Sequence, residues 1–242
     1  MWTYLAILFS FSLLVGVYVR KSVLLKRGAE IVPDENEEDS SEDFAKKRIS
    51  AEDRQKVEDL CNKGKTMLKV GRDDDAVKCF VQALTIDVRH QETLHTLAML
   101  YLQKQMFGAA SALFKQLGEM TNDAVHYSHL GLSQYQQNNF SEALRAYQKS
   151  LELDDTRPQR FVSLSQVYRA MEKPFHAIVA LNKAIDIDEE NLDLLFLLID
   201  LQIETKNTEG AELVIKNILL VDPENKEAKK MLRKIKAPLK EE

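Results

Sequence analysis

Residues 126–155 read HYSHLGLSQYQQNNFSEALRAYQKSLELDD. The second half of this stretch places Ala143, Tyr147 and Ser150 at i, i+4, i+7, which is one face of a helix. The first half places Tyr127 and Gly131 one turn apart, and the polar run Gln137-Asn138-Asn139 separates the two halves. The stretch therefore reads as a helix, a short turn and a second helix. Gly131 offers no side chain, so the two helices of the pair can approach closely.

The same pattern recurs on both sides. Ala76, Ala110, Ala143, Ala177 and Ala211 form a column with spacings of 34, 33, 34 and 34 residues. A bulky column lies four residues on, at Phe80, Phe114, Tyr147, Leu181 and Ile215. A third column lies three further, at Ala83, Leu117, Ser150, Ala184 and Ile218. The preceding helices carry apolar positions at Leu60, Leu94, Tyr127, Phe161 and Leu195. Four residues after these stand the compact Gly64, Ala98, Gly131 and Ser165, with Ile199 the exception. One hairpin of about 34 residues cannot bury its own apolar face, so neighbouring hairpins must stack.

These columns resemble the tetratricopeptide repeat family, with Leu130-Gly131, Ala143 and Tyr147 the closest fit to its pattern and Val221-Asp222-Pro223 a typical end. Five units are expected, over residues 57–90, 91–123, 124–157, 158–191 and 192–225, with a capping helix at 226–236 and a tail at 237–242. The repeat region as a whole spans 50–236. Departures from the pattern are Lys63 in a mostly leucine column, Pro174 near a turn and a second unit one residue short. The resemblance implies an all-α, right-handed superhelical solenoid that binds proteins in a concave groove lined by the first helix of each pair.

On that basis three positions per unit, at i, i+4, i+7, point into the groove. They are Cys61, Lys65 and Leu68; His95, Met99 and Leu102; Ser128, Leu132 and Tyr135; Val162, Gln166 and Arg169; and Phe196, Asp200 and Ile203. The centre of this set is apolar, which suits an amphipathic helix or an extended apolar peptide. Family members that hold the carboxylate tails of cytosolic chaperones use lysines and asparagines here. Lys65 is the only lysine in the set and no asparagine appears, so that clamp is not expected.

Trp2 to Val19 is an uncharged, largely apolar run followed by Arg20, Lys21, Lys26 and Arg27. As a helix it matches the hydrocarbon core of a bilayer, with Trp2, Tyr4 and Tyr18 near its ends. A cleaved signal peptide is the rival, but no Lys or Arg precedes the run and Val17-Tyr18-Val19 lacks small residues at a cleavage site. Residues 1–27 are thus expected to be a transmembrane anchor. The positive-inside rule places the rest of the chain in the cytoplasm. Residues 28–49 open with GAEIVPDENEEDSSED, eight acids without a base, and read as a flexible acidic linker. Ser40 and Ser41 lie beside acids that acid-directed kinases favour. Ser50, ahead of Ala51-Glu52-Asp53, is a candidate helix cap.

Residues 44–242 hold 29 bases and 30 acids, so no broad basic surface is on offer for nucleic acid. Cys61 and Cys79 make neither a CxxC pair nor a disulfide framework. His126 and His129, three apart on a helix, could share a metal, yet no carboxylate or cysteine at a fitting spacing joins them. There is no phosphate loop, GxSxG or HExxH. The expectation is a membrane-tethered, non-enzymatic adaptor with a protein client, no cofactor, no metal and no small-molecule substrate. The alternative is a periplasmic or luminal chaperone-like module facing the other side of the membrane.

Overall fold

The computed structural model describes residues 49–236. The anchor expected over 1–27, the linker up to residue 48 and the tail 237–242 lie outside the described residues. Within them are eleven helices and no strand: α1 (Ala51–Lys69), α2 (Asp73–Ile86), α3 (Gln91–Gln103), α4 (Phe107–Thr121), α5 (Ala124–Gln136), α6 (Phe140–Leu153), α7 (Pro158–Ala170), α8 (Pro174–Ile187), α9 (Leu192–Glu204), α10 (Thr208–Val221) and α11 (Lys226–Lys236). Each helix packs chiefly on its neighbours in the chain, as expected of stacked hairpins. α1 begins before the expected repeat boundary at residue 57, because Glu52 and Asp53 favour a first turn there and Glu52 pairs with Lys56 at 2.8 Å.

All five alanines of the diagnostic column are fully buried, and the bulky column four residues on is buried with them. Their partners are the compact residues of the first helices. A Cβ built on Gly64 would stand 2.5 Å from the Phe80 ring, and one on Gly131 would stand 2.9 Å from the Tyr147 ring. The rings occupy the space that the missing side chains leave. Along the stack these contacts merge into consecutive apolar clusters, the last closed by Ala228, Met231, Leu232 and Ile235 of α11. α11 thus packs its apolar side chains on the core of the last hairpin.

The turn inside each hairpin has one geometry throughout. Gly71, Gln105, Asn138, Glu172 and Lys206 all have positive φ, between 57° and 73°. Each is followed by a residue whose N–H reaches back across the end of the first helix, as from Met106 to Tyr101 O (2.8 Å), Asn139 to Gln134 O (2.9 Å) and Asn207 to Gln202 O (2.8 Å). This is the Schellman closure, which usually places glycine at the left-handed position. Only Gly71 supplies one here. Pro174 and Pro158 do not disturb the stack, since each occupies the first turn of its helix, where a missing N–H costs no hydrogen bond. The shortened second unit loses its residue in the connection after α4. Asn122 takes a left-handed conformation there and Asp123 caps α5 by accepting from Val125 N at 2.7 Å.

Two stability predictions follow from these contacts. Gly131→Val forces a side chain into the Tyr147 ring and lowers the free energy of unfolding by about 1–3 kcal/mol in urea melts. Glu172→Gly relieves a left-handed non-glycine residue and raises it by about 0.5–1 kcal/mol in the same assay.

Candidate protein-binding groove

The first helices of successive hairpins lie side by side and present one common face. On it Leu68 of α1, Met99 and Leu102 of α3 and Leu132 of α5 line a trough of about 450 Å³. Met99 and Leu132 remain 39% and 37% exposed, which is high for large apolar side chains at the centre of a helical stack. Thr96, Gln103 and Gln136 supply polar edges, and Phe107 closes one end from the start of α4. Among the described residues no charged side chain lines the trough. Thr96 and Gln103 are not among the expected groove residues, although with Met99 they form an i, i+3, i+7 stripe on α3.

The other expected groove residues divide by location. Gln166 and Asp200 are exposed. Arg169 is exposed and forms an ion pair with Glu204 of the next unit, and Lys65 pairs in the same way with Glu92. That carboxylate holds the Lys65 ammonium above the ordinary lysine range. Phe196 and Ile203 are half-buried against the core of the last unit. Tyr135 packs on the Phe140 ring, with centroids 5.6 Å apart, and sits over the core below it.

Two positions correct the expectation. Val162 is 4% exposed and packs with Phe161, Leu181 and Leu194, and Cys61 is wholly buried beside Phe80. Both open the i, i+4, i+7 triplet of their helix, and that first position turns into the seam between hairpins rather than out to the shared face.

Ser128 opens its triplet too and serves a polar network inside the stack. Its hydroxyl lies 2.7 Å from the Ser150 hydroxyl and accepts from Arg160 Nε at 3.3 Å, while Ser150 donates to Ala124 O at 2.7 Å. Arg160 is buried, pairs with the Asp154 carboxylate and donates to Asp154 O at 2.9 Å. Hydrogen bonds from Thr156, then from Arg160, hold the Asp154 carboxyl well below the usual carboxylate range. A guanidinium with several partners is the form in which a charge tolerates burial.

His95 of α3 joins His126 and His129 of α5 in a histidine cluster. Its ring centroid is 5.4 Å from that of His126 and 6.5 Å from that of His129, and the His129 ring stacks on Phe114 at 5.0 Å. His126 Nδ1 shares a 2.9 Å hydrogen bond with the Thr121 hydroxyl. Among the described residues no group of three histidines, cysteines or carboxylates is arranged to hold a metal ion. Burial pulls both His126 and His129 below the ordinary histidine range. His95 repels charge on each, and Asp123 partly offsets the shift at His126.

Tetratricopeptide repeat families match residues 124–156 and 168–235. The described fold is similar to solved structures of the same type. The crystal structure of MamA matches at 22% identity and a TM-score of 0.60, over 71% of this chain and 96% of that one. The C-terminal part of a TPR repeat-containing protein from Cytophaga hutchinsonii matches at 22% identity and a TM-score of 0.63, over 73% of each chain. A tetratricopeptide repeat protein from Parabacteroides merdae matches at 12% identity and a TM-score of 0.63, over 75% of this chain and 72% of that one. No curated protein matches the chain. The chain thus carries tetratricopeptide repeats in an all-α solenoid, a fold that typically serves as a protein-interaction scaffold rather than an enzyme.

The histidine cluster gives the array an acid limit. His126 and His129 have folded-state pKa values below the unfolded value of about 6.5, so their neutral state contributes fully above that pH. The contribution is lost as pH falls below it toward the folded values. Urea midpoints should therefore drop between pH 7.5 and pH 5. The double variant His126→Gln, His129→Gln should show a smaller drop over the same window.

Proposed function

We propose that this chain is a membrane-tethered scaffold that captures an apolar segment of a client protein in the trough between α1, α3 and α5. The observation that carries the reading is the meeting of Leu68, Met99, Leu102 and Leu132 in one uncharged, solvent-open trough. Burying such side chains under a partner recovers roughly 25 cal/mol per Å² of apolar surface, and the trough suits the anchors of an amphipathic helix or apolar strand. No helix among the described residues is long and apolar enough to cross a membrane, so the tether in this reading is Trp2 to Val19. The basic residues after it favour an array on the cytoplasmic side. The acidic stretch that follows sets the reach of the array, and tethering raises the effective concentration of client sites at the membrane. Assembly or recruitment of a membrane-associated complex is the task this arrangement fits.

The test uses full-length protein in native membranes. The double variant Met99→Asp, Leu132→Asp should lose a co-purifying client by at least about tenfold, with helical circular dichroism unchanged. The wild-type chain itself should stay in the membrane pellet after carbonate washing. Undiminished client in the variant would exclude the trough, and release of the wild-type chain by carbonate would exclude the tether.

A further inference from the structure

A second trough opens on the other face of the stack, where the second helices lie. It runs between α6 and α8 over a floor of Phe161, Leu164 and Tyr168 from α7, and encloses about 710 Å³. One repeat earlier the equivalent trough lies between α4 and α6, with a volume of about 500 Å³. Its wall and floor carry Gln134, Glu142 and Arg145. One repeat on, at a spacing of 34, these positions become Tyr168, His176 and Val179, and Ser141 becomes Phe175. Equivalent sites in one solenoid need the same core, so Leu130 and Leu164 agree. The solvent-facing positions have no such constraint, yet a serine and an arginine give way to Phe175 and Val179 at this trough, and a glutamine to the aromatic Tyr168. Phe175 is 76% exposed and Val179 58%. Neither supports the stack, and both would be kept out of water by a partner.

Charge at one end of the trough selects that partner. Asp155 makes no hydrogen bond or ion pair among the described residues, and Glu152 beside it is held only by the exposed Lys149 at 3.0 Å. Among the described residues the one cation of the lining is Lys183, whose ammonium stands 5.8 Å over the Phe161 ring. From Phe175 to Lys183 the wall extends about two helical turns.

We propose that this trough is a second docking site, which takes a short amphipathic helix of a partner protein. That helix inserts large apolar side chains at i, i+4, i+7 between Val179 and Tyr168 and sets a basic side chain against Asp155 and Glu152. The site lies on a different face from the trough between α1, α3 and α5 and stands or falls independently of it.

The probe is a fluorescein-labelled 16-residue helical peptide with leucines at i, i+4, i+7 and arginines at one end, paired with a peptide in which glutamates replace those arginines. Binding to detergent-solubilised full-length chain is read by anisotropy. The arginine peptide should bind at least about tenfold more tightly than the glutamate peptide. Val179→Glu and Phe175→Glu, both at exposed positions and checked by circular dichroism, should each weaken it by about tenfold or more, and Asp155→Asn should narrow the gap between the two peptides. Leu132→Asp should leave all of this unchanged. The proposal is overturned if the arginine peptide does not bind, if the two peptides bind alike, or if Val179→Glu has no effect. Loss of binding in Leu132→Asp, or a dimer in sedimentation velocity that Val179→Glu dissolves, would assign the apolar face to another occupant and overturn it as well.

Discussion

Everything in this array depends on how closely the two helices of a hairpin can approach. A ring from the second helix fills the space left by a missing side chain on the first, Phe80 over Gly64 and Tyr147 over Gly131. The buried alanine column lies one turn before those rings on the same face of the second helix and lets that face pack closely. Once that distance is fixed, a hairpin has one stable shape and an apolar flank that only another hairpin, or a cap such as α11, can cover. Interiors are close-packed, and the Phe80 and Tyr147 rings leave no room for a side chain at Gly64 or Gly131, so little can change there without loss.

That constraint made the fold readable from the chain alone. The alanine, bulky and third columns recur at a period that only a stacked hairpin satisfies, and all three proved buried. The turns were legible only as short and polar. Their shared left-handed residue is glycine in just one case, and Gln105, Glu172 and Lys206 carry no local sign of positive φ. The backbone hydrogen bonds that close the first helix hold that geometry, as from Lys173 N to Tyr168 O at 2.9 Å. The groove was legible in part for a related reason. An i, i+4, i+7 triplet identifies a stripe, but its first member sits where one hairpin meets the next. Cys61 and Val162 therefore face inward, while Met99 and Leu132, one turn along, face out. The histidine cluster could not be read from spacing, because His95 comes from a different hairpin from His126 and His129.

Regularity in the core leaves the outward positions free to specialise. The trough between α1, α3 and α5 is apolar and uncharged, whereas the corresponding surfaces beyond it carry the Arg169–Glu204 pair and the exposed Gln166 and Asp200. On the second-helix face the change runs the other way along the chain, from a charged trough at the third unit to an apolar one at the fourth. A scaffold does not by itself specify a function. Here the chemistry that varies against a constant repeat is what marks the surfaces, and the buried Arg160 network keeps the two central units in a fixed relation while those surfaces differ.

The most direct measurement is site-specific photo-crosslinking from Met99 in full-length protein embedded in its membrane, with the attached peptide sequenced. The account requires one defined partner segment bearing large apolar side chains, and the same segment captured from a second probe at Leu102. Crosslinks confined to the array's own helices, or unrelated peptides from the two positions, would contradict it.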